Sequence, residues 1–421
     1  MIFATIIFTL AVLIPSLLIV LGAGNSNTQS VMALCAGASA FSLMAAALFL
    51  ATRPKFVERA VGGLDRLYKA HKWIGISLLP LVLFHKFVGM DLEGQIVASG
   101  LAKTAVDIAK IAFLVLVPLL LLSWIKKLPR MRRDLIPYHI WRIAHRLMGV
   151  VFIALSLHQL FVAVPFNANS VAAQYLNLAA VIGIGSFLYT QFFAPFRPRK
   201  FTISRVEKHA AATIIDATPK GRGFAKLRSG GFAVISFAKK GLREPHPFTI
   251  SRIGADGSLQ FSIRALGDYT AHLRDAVAVG DRMSIEAGYG NFDYQRGEET
   301  QLWLAGGIGI TPFLAFADSL TAQNTRDITL VYCVGKPQEA VGLERLQAAQ
   351  SRSDLFRLHL HVSSEDGRMD AAKLVETTKL EMPKTGFWFC GPAPMRRSII
   401  QDLKAIGKAP SSVNFEEFEF R

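Results

Sequence analysis

Six apolar stretches, each long enough to cross a lipid bilayer, fill the first 195 positions of this 421-residue chain. They cover about 1–23, 31–51, 72–90, 105–125, 141–164 and 173–195. A spanning helix needs about 20 such residues, and inside lipid the backbone must satisfy its own polar groups. A six-helix transmembrane bundle over residues 1–196 is therefore predicted. The first segment lacks a basic leader and reads as a retained helix. The formal charge of +16 is concentrated at the segment ends. Arg53, Lys55, Arg59, Arg66, Lys69 and Lys72 form one cluster, Lys126, Lys127, Arg130, Arg132, Arg133, Arg142 and Arg146 a second, and Arg197, Arg199 and Lys200 a third. These clusters fall on alternate sides of the segments, so the positive-inside rule places both termini in the cytoplasm. Membrane lipid headgroups are the expected partner of this charge, not nucleic acid.

Two of the segments carry paired histidines, His71 with His85 and His145 with His158. An ionisable residue inside a membrane helix reads first as a functional site. Fourteen residues of helix rise roughly 21 Å of a core about 30 Å thick, which suits two haems held one above the other. With the basic loops inside, the natural pairs are His71 with His145 and His85 with His158. A spacing of 14 returns to within about 40° of one helix face, whereas 13 lands about 140° away. The second helix is thus expected to bend, tilt or present its ligands differently, with Gly149 a candidate weak point. The alternative is four interior histidines bonded to neighbouring helices. His139, among basic residues, suits a headgroup or propionate contact. The three cysteines, Cys35, Cys333 and Cys390, have neither disulfide nor metal-site spacing. The stretch 53–70 mixes charge and apolar residues as an interfacial helix does.

After Pro195 and Pro198 the composition becomes that of a soluble protein. FTISRVE, ATIIDAT, GFAVISF, PFTISRI, LQFSIRA and RMSIEAG are short β-branched runs between glycine turns, which predicts an antiparallel β-barrel over 197–298. From 299 to 421, QLWLAGG, DITLVYCV, FRLHLHVS and GFWFCGP alternate with helical stretches near 312–323 and 338–351, the pattern of an α/β nucleotide fold. In the barrel, His246-Pro247-Phe248-Thr249-Ile250-Ser251 supplies an apolar edge and hydroxyls for a flavin and its ribityl chain. Arg264 and Thr270 of Gly-Asp-Tyr-Thr suit its pyrophosphate. Gly306-Gly307-Ile308-Gly309-Ile310-Thr311-Pro312 follows a strand and opens a helix, as a pyrophosphate turn does, with Pro312 suited to the first helical turn. Phe389-Cys390-Gly391-Pro392 ends a later strand, where such sheets bind ligands.

Taken together these motifs resemble the ferric reductase and NADPH oxidase superfamily over essentially the whole chain. The likeness rests on the histidine pairs at 14 and 13, His-Pro-Phe-Thr, Gly-Asp-Tyr-Thr, Gly-Gly-Ile-Gly-Ile-Thr-Pro and Cys-Gly-Pro. It implies a six-helix domain with two b-type haems, then a ferredoxin–NADP reductase-like dehydrogenase, in the inner membrane of a bacterium. His246 to Thr249 and Ser251 would touch the flavin, with Arg264 and Thr270 on its phosphates. Gly307 and Gly309, with Thr311 and Pro312, would border the nicotinamide dinucleotide, and Cys390, Gly391 and Pro392 would lie near the nicotinamide. Phe420, with Phe418 second, would cover the flavin. Ala287-Gly288-Tyr289-Gly290 departs from the family's Gly-Pro-Tyr-Gly. After Val334, Gly335-Lys336 stands where an arginine is common, so NADPH over NADH is a lean resting on Lys336 and Arg368. Gly89 replaces a histidine of the oxidases' oxygen site.

The resemblance implies an NAD(P)H-dependent transmembrane oxidoreductase carrying electrons through FAD and two haem b groups to an extracytoplasmic acceptor. The acceptor expected first is a ferric chelate. Dioxygen, giving superoxide, is the alternative, and a third reading is an electron-donor subunit for a periplasmic partner protein.

Overall fold

In the first half, long apolar runs fold as long helices, three of them with an internal proline, Pro15, Pro80 and Pro118. The computed structural model describes residues 2–24, 26–88, 100–124, 138–161, 170–224 and 226–416. The chain divides into two units, Met1–Pro195 and Phe196–Arg421. The first holds α1 (Ile2–Gly22), α2 (Thr28–Ala51), α3 (Lys55–Val61), α4 (Leu64–Phe87), α5 (Gly100–Trp124), α6 (Tyr138–Phe161) and α7 (Val171–Leu188). Among the described residues five of these helices are long and apolar enough to span a membrane, namely α1, α2, α5, α6 and α7. The third expected segment departs from that pattern. Its helix, α4, begins eight residues earlier than expected and carries Asp65, Arg66, Lys69 and Lys72 in its first turns. The expected interfacial helix is correspondingly split, since Gly62 (φ +91°) and Gly63 (φ +131°) separate α3 from α4.

Helix α2 is the centre of this unit and packs against α1, α4 and α7, while α5 pairs with α6. Its face is built from Ala33, Ala36, Ala38, Ser39, Ala40, Ala45 and Ala47, small residues that let neighbouring backbones approach closely. Helix α6 is continuous through Gly149. That glycine makes room for Phe187, whose ring would stand 2.1 Å from an added Cβ.

In the second unit all six expected barrel strands form: β1 (Arg199–Lys208), β2 (Thr213–Pro219), β3 (Phe232–Phe237), β4 (His246–Ile253), β5 (Leu259–Ile263) and β6 (Arg282–Tyr289). They close in the order β1-β2-β5-β4-β3-β6 around Phe201, Ile215, Ile235, Ile250, Phe261 and Ile285. A short helix, α8 (Asp268–Ala276), lies between β5 and β6. The remainder is a parallel sheet of β7 (Thr300–Gly306), β8 (Asp327–Val334), β9 (Phe356–Val362), β10 (Gly386–Cys390) and β11 (Ser412–Glu416), ordered β11-β10-β7-β8-β9. Its helices are α9 (Thr311–Ser319), α10 (Leu343–Arg352), α11 (Ser363–Asp366), α12 (Ala371–Thr378) and α13 (Ala393–Ala405). Strands β7, β8 and β10 are almost wholly buried, as a parallel sheet covered on both faces requires.

Candidate functional site

In the helical unit, antiparallel packing of α4 on α2 seats two histidines. His71 Nδ1 lies 3.0 Å from the Ala47 carbonyl and His85 Nδ1 2.8 Å from that of Ala33. The two bonds keep one register, fourteen residues apart on each helix. A carbonyl only accepts, so both imidazoles carry their proton on Nδ1 and present a bare Nε2 lone pair. On α6, His145 Nδ1 lies 3.0 Å from Ser123 Oγ of α5. That hydroxyl gives its own proton to the Leu119 carbonyl at 2.7 Å, so it too receives a proton from the histidine. Trp141, one turn away, stacks on the His145 ring at 4.9 Å.

The pairs are those the sequence suggests. The rings of His71 and His145 stand 6.0 Å apart between centroids. Two imidazoles binding one metal from opposite sides, through bonds of about 2.0–2.1 Å, put their centroids about 6 Å apart. His85 and His158 lie close enough to interact electrostatically. Metal-bound histidines characteristically donate their other N–H to a carbonyl or similar acceptor, which is what Ala47, Ala33 and Ser123 receive. These residues therefore fit axial ligation of haem iron. Gly37 is part of that fit, since a Cβ there would fall 2.5 Å from His85 Nδ1. Between the two levels, Phe152 is fully buried and stacks on Phe41 at 4.7 Å. The side chain of His139 lies outside the described residues.

In the second unit, alternation along β4 sends Ile250 into the barrel core and Thr249 to the face that meets α9. The Thr249 hydroxyl is buried with no hydrogen-bond partner among the described residues. An orphaned polar atom of this kind costs roughly 1–3 kcal/mol unless a ligand satisfies it, so it fits a flavin edge. The His246 ring lies against that of Tyr269, 3.8 Å between centroids and tilted by 35°, and burial, then the Glu244 charge, push the Tyr269 phenol up. Pro247 and Phe248 pair with Val234 and Ala233 of β3. Ser251 is fully buried and turned to β5, where it bonds the Gln260 carbonyl at 3.1 Å, so its hydroxyl is already spent. The Thr270 hydroxyl is likewise engaged, accepting from Leu266 N and Gly267 N at 2.9 and 3.0 Å. The Arg264 guanidinium stands exposed beside that turn.

Arg264 also links the barrel to the glycine turn. A Cβ built on Gly307, whose φ is +55°, would stand 3.2 Å from its Nη1. Gly309 is packed harder still, with the Cys390 carbonyl oxygen 2.1 Å and Gly391 N 2.8 Å from the corresponding point. Gly306 faces Pro392 in the same way. The turn 306–312 and the segment 390–392 thus form one surface, with Thr311 bonded to the Ile308 carbonyl at 3.2 Å and Pro312 in the first turn of α9. The Cys390 side chain is buried beneath it, and burial, then Glu416, push its thiol up, so it is neutral. At the end of β8, Gly335 N donates to Glu339 at 3.2 Å, a carboxylate the sequence reading passed over. Lys336 and Arg368 are exposed. Phe418 and Phe420 lie outside the described residues.

Three sequence families match in order: ferric reductase like transmembrane component over residues 36–156, FAD-binding domain over 199–301, and oxidoreductase NAD-binding domain over 303–401. Among curated relatives, the toluate 1,2-dioxygenase electron transfer component of Pseudomonas putida is 27% identical over 185 residues, 42% of this chain and 55% of that protein. The carnitine monooxygenase reductase subunit of Escherichia coli (strain K12) is 31% identical over 147 residues, 35% of this chain and 43% of that one. The chain spans about half the length of these curated relatives. The crystal structure of flavohemoglobin from Malassezia yamatoensis, with bound FAD and heme, covers 96% of this chain and 98% of its own at a TM-score of 0.50 and 17% identity, a likeness of fold alone.

Proposed function

Since the chain belongs to the ferric reductase and NADPH oxidase superfamily, whose three-part architecture the family matches reproduce in order, we propose that it moves electrons across a membrane. The donor is a reduced nicotinamide dinucleotide on the cytoplasmic side, and the acceptor lies on the far side. FAD, when bound, divides the donor's electron pair into single electrons, and two b-type haems relay them. His71 with His145 would hold the inner haem and His85 with His158 the outer. The Nδ1 partners of His71, His85 and His145 would keep their lone pairs aimed and raise ligand basicity. Phe152, stacked on Phe41 at the intermediate level, would fill the space between the two haem levels.

In the second unit, Thr249 would border the flavin and Arg264 its pyrophosphate, while the Phe248 side chain packs against the barrel core. The turn Gly307–Pro312 and Cys390–Pro392 would cradle the nicotinamide dinucleotide at the carboxyl ends of the strands. Glu339 sits at the strand end where an acidic group suits a ribose hydroxyl and repels a 2′-phosphate. We therefore expect NADH to be preferred, reversing the lean drawn from Lys336 and Arg368.

The observation that carries this reading is the His71–His145 pair, 6.0 Å apart with outward nitrogens tied. The acceptor we propose is a ferric chelate, with the chain in a bacterial inner membrane and both termini cytoplasmic. Purified protein in vesicles, given NADH outside and ferric chelate inside, tests it. Chelate reduction that persists under argon supports a ferric reductase. Cytochrome c reduction that superoxide dismutase abolishes would assign the alternative acceptor, dioxygen. Turnover only on adding a periplasmic protein would make the chain a donor subunit.

A further inference from the structure

A buried cation ties the candidate flavin strand to the nucleotide-binding layer. Arg345, in the first turn of α10, has only 18% of its side chain exposed. Its Nη2 donates to the Ser251 carbonyl at 2.8 Å and its Nη1 to Gln260 Oε1 at 2.9 Å. Its charge is balanced by Asp318 of α9, at 3.3 Å from Nε and 2.5 Å from Nη2. Arg252 approaches the same carboxylate at 3.3 Å, and Gln260 is steadied by Asp216 at 2.8 Å.

The location gives these bonds their meaning. Pairing of β4 with β5 slips between Ile250 and Arg252, so Ser251 is the extra residue of a β-bulge. A bulge leaves its residue outside the ladder, and here the guanidinium takes up the carbonyl. Ser251 is two residues beyond Thr249 on β4, the strand that packs against α9. Asp318 lies on α9, the helix that the Gly307–Pro312 turn opens. One planar cation therefore fixes the spacing between the strand that would border the flavin and the turn that would hold the nicotinamide dinucleotide.

We propose that Arg345 is a positioning residue for hydride transfer between nicotinamide and flavin, an inference that rests on the function proposed above. The reaction moves two electrons and one proton together from the nicotinamide ring to the flavin ring, and Arg345 itself gains and loses nothing. A forked donor suits this task, since it holds two acceptors and a carboxylate in one plane where lysine offers a single point charge.

The test uses full-length holoprotein in detergent, comparing wild type, Arg345→Met, Arg345→Lys and Asp318→Asn. In Arg345→Met the limiting rate of flavin reduction at saturating NADH should fall at least ~10-fold, since a displacement of about 1 Å can cost about 100-fold. The NADH concentration at half-maximal rate and the flavin content should change less than about twofold, as no ligand contact is removed. Without nucleotide, amide exchange across residues 248–253 should rise at least ~10-fold through loss of the bulge's anchor. Arg345→Lys should recover part of both effects. Asp318→Asn, which keeps the arginine, should shift both the same way and serves if Arg345→Met does not fold. A wild-type rate in the folded variants overturns the proposal even if exchange rises. If wild type itself reduces no flavin, the proposed function falls and takes this one with it.

Discussion

Substitution of His145 by alanine is expected to leave one haem per chain where the wild type holds two, and to stop reduction of the far-side acceptor. The imidazole is one of two that face each other at 6.0 Å, and its nearest polar contact, Ser123, cannot replace it from a neighbouring helix. Loss of a supporting group around a metal typically costs about 10–100-fold in affinity or activity, and loss of the ligand itself more than that. Acceptor reduction should therefore fall by more than ~100-fold, while Ser123→Ala, which removes only the proton acceptor, should cost about 10-fold. Flavin reduction by NADH should survive in both, because the second unit is untouched. Pyridine haemochrome analysis of the purified variant gives the ratio. Two haems retained in His145→Ala would remove this residue from the ligand set.

The second large effect is expected at Gly309. A methyl group there would stand 2.1 Å from the Cys390 carbonyl oxygen and 2.8 Å from Gly391 N, both backbone atoms of a buried strand end. Neither can swing aside as a flexible side chain would, so the turn 306–312 must separate from residues 390–392. Overpacking of this kind costs about 1–3 kcal/mol, or roughly 5- to 150-fold in an equilibrium constant. In Gly309→Ala the dissociation constant for NADH should rise by at least ~10-fold, whereas haem and flavin contents stay at wild-type values. Isothermal titration with a non-reducing nicotinamide dinucleotide measures it. Unchanged affinity would place the dinucleotide elsewhere.

Much of this arrangement is legible in the sequence, for physical reasons that differ from part to part. The barrel and sheet are announced by β-branched runs between glycine turns, and each of the barrel runs forms a strand. The four histidines stand out because imidazoles are rare in apolar helices, and spacing along α4 and α6 suffices to pair them. What holds their Nδ1 atoms does not show. Ala33 and Ala47 act through backbone carbonyls that any residue carries, and Gly37 acts by being small. Helix α4 starts ahead of its apolar run, because its charged first turns break the apolar pattern without breaking the helix. Gly149 reads in sequence only as a weak point of α6, and the close approach of Phe187 to it shows only in the packing. In the second unit the hydroxyls of Ser251 and Thr270 look like ligand donors in sequence, and the fold spends both on its own backbone. Arg345 and Glu339 lie far from any motif, and only the packing of α10 and the end of β8 gives them their places.

The absorption spectrum of detergent-purified chain, oxidised and then reduced by NADH under argon, tests the central claim most directly. The account predicts two low-spin haem b groups per chain, each with two axial histidines, that NADH reduces only when FAD is bound. A folded, flavin-loaded preparation that contains no haem would contradict it, and His71, His85, His145 and His158 would then be packing residues of a membrane-anchored flavin reductase.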